Sequence, residues 1–136
     1  MSLTESIAQA IATMEGFFSP GTIAQRQNNP GNLRSWGNYP VVGGYVQFPD
    51  AQTGWEALYS QVDKNIGRGL TIQEFFAGKP GVYGGYSPGA DKNDPAGYAQ
   101  YVATQTGIPE SVPLNTLNAN GPPWQPPKAR TPGGSI

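Results

Sequence analysis

Apolar residues recur at Leu3, Ile7, Ile11, Met14 and Phe18, at intervals of four, four, three and four, the spacing of one helix face. Ser2 with Glu5 three positions on forms a capping box ahead of that stripe, and Gly16 with Ser19-Pro20-Gly21 ends it. The periodicity then gives way to Gln27-Asn28-Asn29-Pro30-Gly31-Asn32, a run of turn formers that predicts a tight reversal with Gly31 at positive φ. Leu33–Trp36 and Tyr45–Phe48 read as two short strands around Gly43-Gly44. Trp55, Leu58, Tyr59, Val62 and Ile66 return to helical spacing, which predicts a second helix opening at Asp50 or Thr53.

Thr71-Ile72-Gln73-Glu74 is a second capping box, and the short helix behind it ends at Gly78 before Pro80. A loop rich in glycine and tyrosine follows, from Gly81 to Lys92. Asp94-Pro95 then supplies a cap and first-turn proline for a helix to Thr106, closed by Gly107, with Tyr98, Tyr101, Val102 and Gln105 on its buried side. These elements predict a mostly α (α+β) domain over 1–117, several short helices with one small β-hairpin. Residues 118–136, rich in proline and poor in apolar anchors other than Trp124, read as an extended tail.

Composition narrows the chemistry. The chain has no cysteine and no histidine, which excludes Cys–His and Ser–His–Asp catalysis and His-ligated zinc. No metal or cofactor is expected. Eight basic residues are scattered through a chain of net charge −1, so no stripe exists to neutralise phosphates and nucleic acid is not an expected partner. Fifteen aromatic residues in a weakly charged chain suit a carbohydrate better, since rings stack on sugar faces and amides bond hydroxyls. Membrane insertion is not expected, because no stretch is long and apolar enough to span a bilayer. The first residues carry no basic region followed by an apolar run, so no signal peptide is read there.

Chemistry must therefore come from the nine carboxylates. Glu15 stands out, beside the apolar stripe at the end of the first helix, among Met14, Phe17 and Phe18. Desolvation and the negative end of the helix dipole both favour its protonated form, as a general acid near neutral pH requires. A solvated helix flank is the competing reading.

Met14-Glu15-Gly16 followed by Asn28-Asn29-Pro30-Gly31-Asn32-Leu33-Arg34 resembles a group of phage and bacterial lysozyme-like proteins. Phe48-Pro49-Asp50 running into Gly54-Trp55-Glu56-Ala57-Leu58 is similar as well, as is Lys92-Asn93-Asp94-Pro95 leading into Tyr98-Ala99-Gln100-Tyr101-Val102. The resemblance covers roughly residues 4–115, and the asparagine-rich turn is its most specific part. It implies a lysozyme-like fold in which Glu15 faces a β-hairpin across a sugar-binding groove. It also implies cleavage of the β-1,4 bond between N-acetylmuramic acid and N-acetylglucosamine in peptidoglycan, with Glu15 as catalytic acid.

The expected setting is the bacterial cell wall or periplasm, reached from a phage particle or by another delivery route, and the expected state is a monomer. Hydrolase and lytic transglycosylase chemistry both remain open, and a single-acid mechanism is favoured because no second carboxylate is evident. Asp50 is the best candidate second acid, against a competing role as helix cap. Asn29, Asn32 and Arg34 are candidate substrate-binding residues that would also serve the turn, with Gln25 and Gln27 as possible helpers. Tyr83, Tyr86 and Tyr101 are candidate stacking or positioning residues, against ordinary packing. A non-catalytic virion or wall-binding protein with the same fold is the alternative.

Overall fold

The computed structural model describes residues 1–86 and 94–117. The chain is mostly helical with one small antiparallel hairpin. In order it forms α1 (Leu3–Met14), α2 (Ile23–Arg26), β1 (Val41–Val42), β2 (Tyr45–Val46), α3 (Ala51–Gly67), α4 (Ile72–Ala77) and α5 (Pro95–Thr106), then a 3₁₀ turn at Leu114–Thr116. Among the described residues no helix is long and apolar enough to cross a membrane.

Local signals set most boundaries. Both capping boxes form, Ser2 with Glu5 on α1 and Thr71 with Glu74 on α4. Asp50 caps α3, Asp94 caps α5, and Gly107 closes α5 in the left-handed conformation. The core is apolar and largely helical. Helix α1 packs on α3 and α5, and α4 packs on α5. Ile7, Ile11, Leu58, Val62, Phe75, Phe76 and Val102 lie buried among them.

Several expectations fail locally. Helix α1 stops at Met14, so Phe18 leaves the buried stripe and is 56% exposed, against Phe17 and Trp55. The cause is Gly16, whose φ of 81° ends the helical path. Gln105 is exposed, whereas Ala99 and Thr106 share the buried side with Val102. The first strand is Val41–Val42 rather than Leu33–Trp36. Gly43 and Gly44, both at positive φ, make a two-residue reversal that pairs Val42 with Tyr45 and Val41 with Val46. Leu33 reaches the sheet only through its carbonyl, which accepts from the Val46 amide at 2.9 Å.

The turn from Gln27 to Leu33 differs from expectation in an informative way. Its left-handed residues are Asn28 (φ 55°) and Asn32 (φ 48°), not Gly31. Gly31 is required for space: a Cβ there would lie 2.6 Å from the Tyr86 hydroxyl and 2.8 Å from Leu58. Gly54 on α3 is tighter still, since a Cβ would sit 1.9 Å from the Asn28 carbonyl oxygen. Two glycines thus let the turn press against α3 and the Tyr86 segment. The loop after α4 is described through Tyr86, with Lys79 and Tyr83 bridged backbone to backbone. The rest of that loop to Lys92, and the proposed tail over 118–136, lie outside the described residues.

Candidate functional site

Glu15 is the C-terminal cap residue of α1, its amide bonded to the Ile11 carbonyl. The turn brings Asn32 to it from seventeen positions away, and Asn32 Nδ2 donates to Glu15 Oε1 at 2.9 Å. Glu15 Oε2 and Asn32 Oδ1 are buried with no hydrogen-bond partner among the described residues. Burial pushes the Glu15 carboxyl up to about 7, against the opposing pull of the Asn32 hydrogen bond. A carboxylic acid so poised is half protonated near neutral pH, which general acid catalysis needs. The left-handed backbone of Asn32 aims its amide at the acid, a conformation that asparagine tolerates better than most residues.

Two tyrosines lie close enough to feel the Glu15 charge. The Tyr86 hydroxyl is pushed well above its usual range, first by burial and then by Glu15. It donates to the Gly31 carbonyl, fastening the turn that carries Asn32. Tyr98 is raised as well, by burial and then by Glu15.

Beside the acid opens a pocket of about 370 Å³ lined by Asn32, Leu33, Arg34, Ser35, Gln61, Tyr83, Gly85 and Tyr86. Asn32 belongs to both places. Arg34 is exposed on the pocket wall, with its guanidinium 4.9 Å from the Tyr45 ring centroid. Tyr83 is half-buried, and burial raises its hydroxyl while Asn65 and Arg68 oppose that shift.

Other candidates have different work. Asn29 is fully buried: its Nδ2 donates to the Leu33 and Val46 carbonyls at 3.0 and 2.9 Å, and its Oδ1 accepts from the Leu33 amide at 2.9 Å. It holds the turn to the hairpin and cannot meet substrate. Gln27 likewise donates to Tyr45 and Val46 carbonyls, and Gln25 accepts from the Gly21 amide. Asp50 Oδ1 accepts from the Thr53 amide and hydroxyl at 2.8 and 2.7 Å, and these bonds hold its carboxyl below its usual range. Asp50 thus serves as the N-terminal cap of α3. Tyr101 packs on the core from α5 and does not line the pocket. Tyr86, at 5% exposure, is a buried support with one edge on the pocket rather than a stacking platform.

Gln61 and Asn65 escaped the sequence reading, and Tyr98 entered it only as a packing residue of the last helix. Gln61 and Asn65 sit among ordinary polar positions of an amphipathic helix, and nothing in their spacing marks them. The charged partner of Asn65, Arg68, is equally anonymous in sequence. No family model matches this chain, no curated protein is significantly similar to it, and no solved structure matches it.

Proposed function

We propose that the protein is a lysozyme-like enzyme that cleaves peptidoglycan glycan strands between N-acetylmuramic acid and N-acetylglucosamine, with Glu15 as its single acid. The observation that carries this reading is the Glu15–Asn32 pair. A buried carboxyl with a pKa of about 7 stands at a helix end, and its side-chain partner among the described residues comes from the asparagine turn that carries the family resemblance. Glu15 gives its proton to the departing glycosidic oxygen. In a lytic transglycosylase it then takes the proton of the muramic 6-hydroxyl, closing an anhydro ring; in a hydrolase water attacks in that place. The single-acid form is favoured because burial raises the Glu15 carboxyl, no carboxylate among the described residues contributes to that shift, and Asp50 is engaged as a cap. The proposed setting is the bacterial wall or periplasm, with the enzyme acting as a monomer.

The test is Glu15→Gln on purified sacculi, with the released muropeptides read by mass spectrometry. The amide keeps the shape and the Asn32 contact but has no proton to give, so cleavage should fall by at least about 100-fold. Anhydro ends in the wild-type products would identify a transglycosylase, and reducing ends a hydrolase. Wild-type protein that binds sacculi and releases nothing would point to the wall-binding alternative.

A further inference from the structure

We infer that Glu15 rests as a neutral acid closed into a two-bond ring with the Asn32 side-chain amide, which makes Asn32 the positioning residue for the acid's proton. This rests on the reading of Glu15 as the acid and adds how its proton is held. Its test reads the proton itself and needs no cleavage.

The 2.9 Å bond from Asn32 Nδ2 to Glu15 Oε1 joins one corner of a planar amide to one corner of a planar carboxyl. The other corners of the same two groups are Asn32 Oδ1 and Glu15 Oε2, both buried and without a partner among the described residues. Four buried side-chain polar atoms are unpartnered in that set, and two of them belong to this one pair. Buried polar atoms are seldom left unbonded, because the loss of water is then uncompensated.

The two deficits have one remedy. With Glu15 ionised, both oxygens are acceptors and neither can serve the other. With the proton on Oε2, that hydroxyl is a donor and Asn32 Oδ1 is its acceptor. The bond already present supplies the other half of the ring. The surroundings favour the same state. The Tyr86 hydroxyl is spent on the Gly31 carbonyl. Tyr86 and Tyr98 are the titratable side chains that feel the Glu15 charge, and both are held in their neutral form. No charged group among the described residues contributes to the Glu15 shift, which burial raises and the Asn32 donor bond lowers.

Asn32 therefore acts differently on the two forms of the acid. Before transfer it donates to Oε1 and accepts from Oε2, so the proton has a fixed place. On transfer the Oε2–H bond breaks and the proton passes to the departing glycosidic oxygen. The Nδ2 bond to Oε1 then becomes charge-assisted and steadies the new carboxylate. A single acid that must next work as a base needs both contacts, and one side chain supplies them in turn.

Neutron diffraction from crystals of the full chain grown in heavy water tests this directly. At about pD 5.5, below the Glu15 value of about 7, nuclear density should lie on Oε2 and point at Asn32 Oδ1. An ordered water between the two oxygens, or an ionised Glu15 at that pD, would overturn the inference. In solution, an NMR titration of ¹³C-labelled protein follows Glu15 Cδ and Asn32 Cγ. Both carbons should share one inflection at or above about pH 7, with Asn32 Cγ moving upfield as its oxygen loses the hydrogen bond. An Asn32 Cγ that stays still or moves downfield as Glu15 ionises sinks the ring. Glu15→Gln rebuilds the ring with an N–H in place of the O–H, so its Asn32 Cγ should keep the acid-form shift across the whole range. A ring seen in a protein that cuts no glycan would uphold this inference and strike the glycosidase reading alone. Cleavage without the ring would do the reverse.

Discussion

The turn from Gln27 to Leu33 and the packed interface of α4 with α5 solve the same problem by opposite means. At the interface Phe75, Phe76, Ala99 and Val102 meet as apolar surface, which attracts without direction and tolerates exchange of one shape for another. In the turn, position is fixed by directed bonds from Gln27, Asn28 and Asn29 to backbone carbonyls of the hairpin and its flank. The first arrangement supplies stability and the second supplies aim. Asn32 can present its amide to Glu15 at 2.9 Å only because the residues before it are pinned.

Substitutions can break this contrast, and the largest effect is expected at Gly54. A Cβ there would meet the Asn28 carbonyl oxygen at 1.9 Å, so Gly54→Ala must push the turn away from α3. The loss should exceed about 4 kcal/mol in denaturant unfolding, the range reserved for core disruption. A change under 1 kcal/mol would show that the turn and helix are not in firm contact.

Asn29 and Phe75 test the contrast directly. Asn29→Leu keeps the branched shape but strands the Leu33 amide and two carbonyl contacts, and should cost about 2–4 kcal/mol. Phe75→Met, a swap of one apolar shape for another, should cost about 1–1.5 kcal/mol. Chemical denaturation of the two variants side by side reads the difference. The reverse order would mean that the polar turn is the more forgiving region.

The acid itself gives a pH signature. Its folded value of about 7 lies above the ordinary 4.5, so the folded state holds more protons than the unfolded one between those values. Stability should therefore fall as pH rises through that window, by about 1–3 kcal/mol, and Glu15→Gln should flatten the slope. A slope unchanged in the variant would place the proton elsewhere. Catalysis should decline over the same upper limb, as the proton-bearing form of the acid is lost above pH 7.

The smallest effect is expected at Asp50. Asp50→Ala removes the cap of α3 and should lower Tm by a few degrees, with glycan cleavage retained. A loss of cleavage as deep as that of Glu15→Gln would restore Asp50 as a second acid.

The helices were legible because their ends are written locally. Ser2, Asp50, Thr71 and Asp94 each cap within three residues of themselves, and Gly107 closes α5 by its own backbone. The position of Glu15 at the end of α1 followed from the same kind of signal. The roles of the asparagines did not. Asn29 and Asn32 have the same side chain three positions apart, and only their surroundings make one a strut and the other a contact to the acid. The first strand was misplaced for a related reason. Gly43-Gly44 dictates pairing to its immediate neighbours, and exposed Val41 and Val42 lack the alternation that marks a strand. The stacking of Lys64 and Arg68 of α3 on Trp36 and Tyr83 carries no sequence signal at all, since both rings arrive from elsewhere in the chain.

The hydroxyl of Tyr86 on the Gly31 carbonyl joins positions fifty-five residues apart. Contacts of such span close late, because the intervening chain must first give up its freedom. The acid's proton affinity then becomes a kinetic reporter. During refolding at pH 6 the helices should gain their ellipticity before the protein takes up the proton that distinguishes a buried Glu15 from an exposed one. Stopped-flow proton uptake, set beside circular dichroism, would time the birth of the site separately from the birth of the fold, and Tyr86→Phe should slow the former more than the latter.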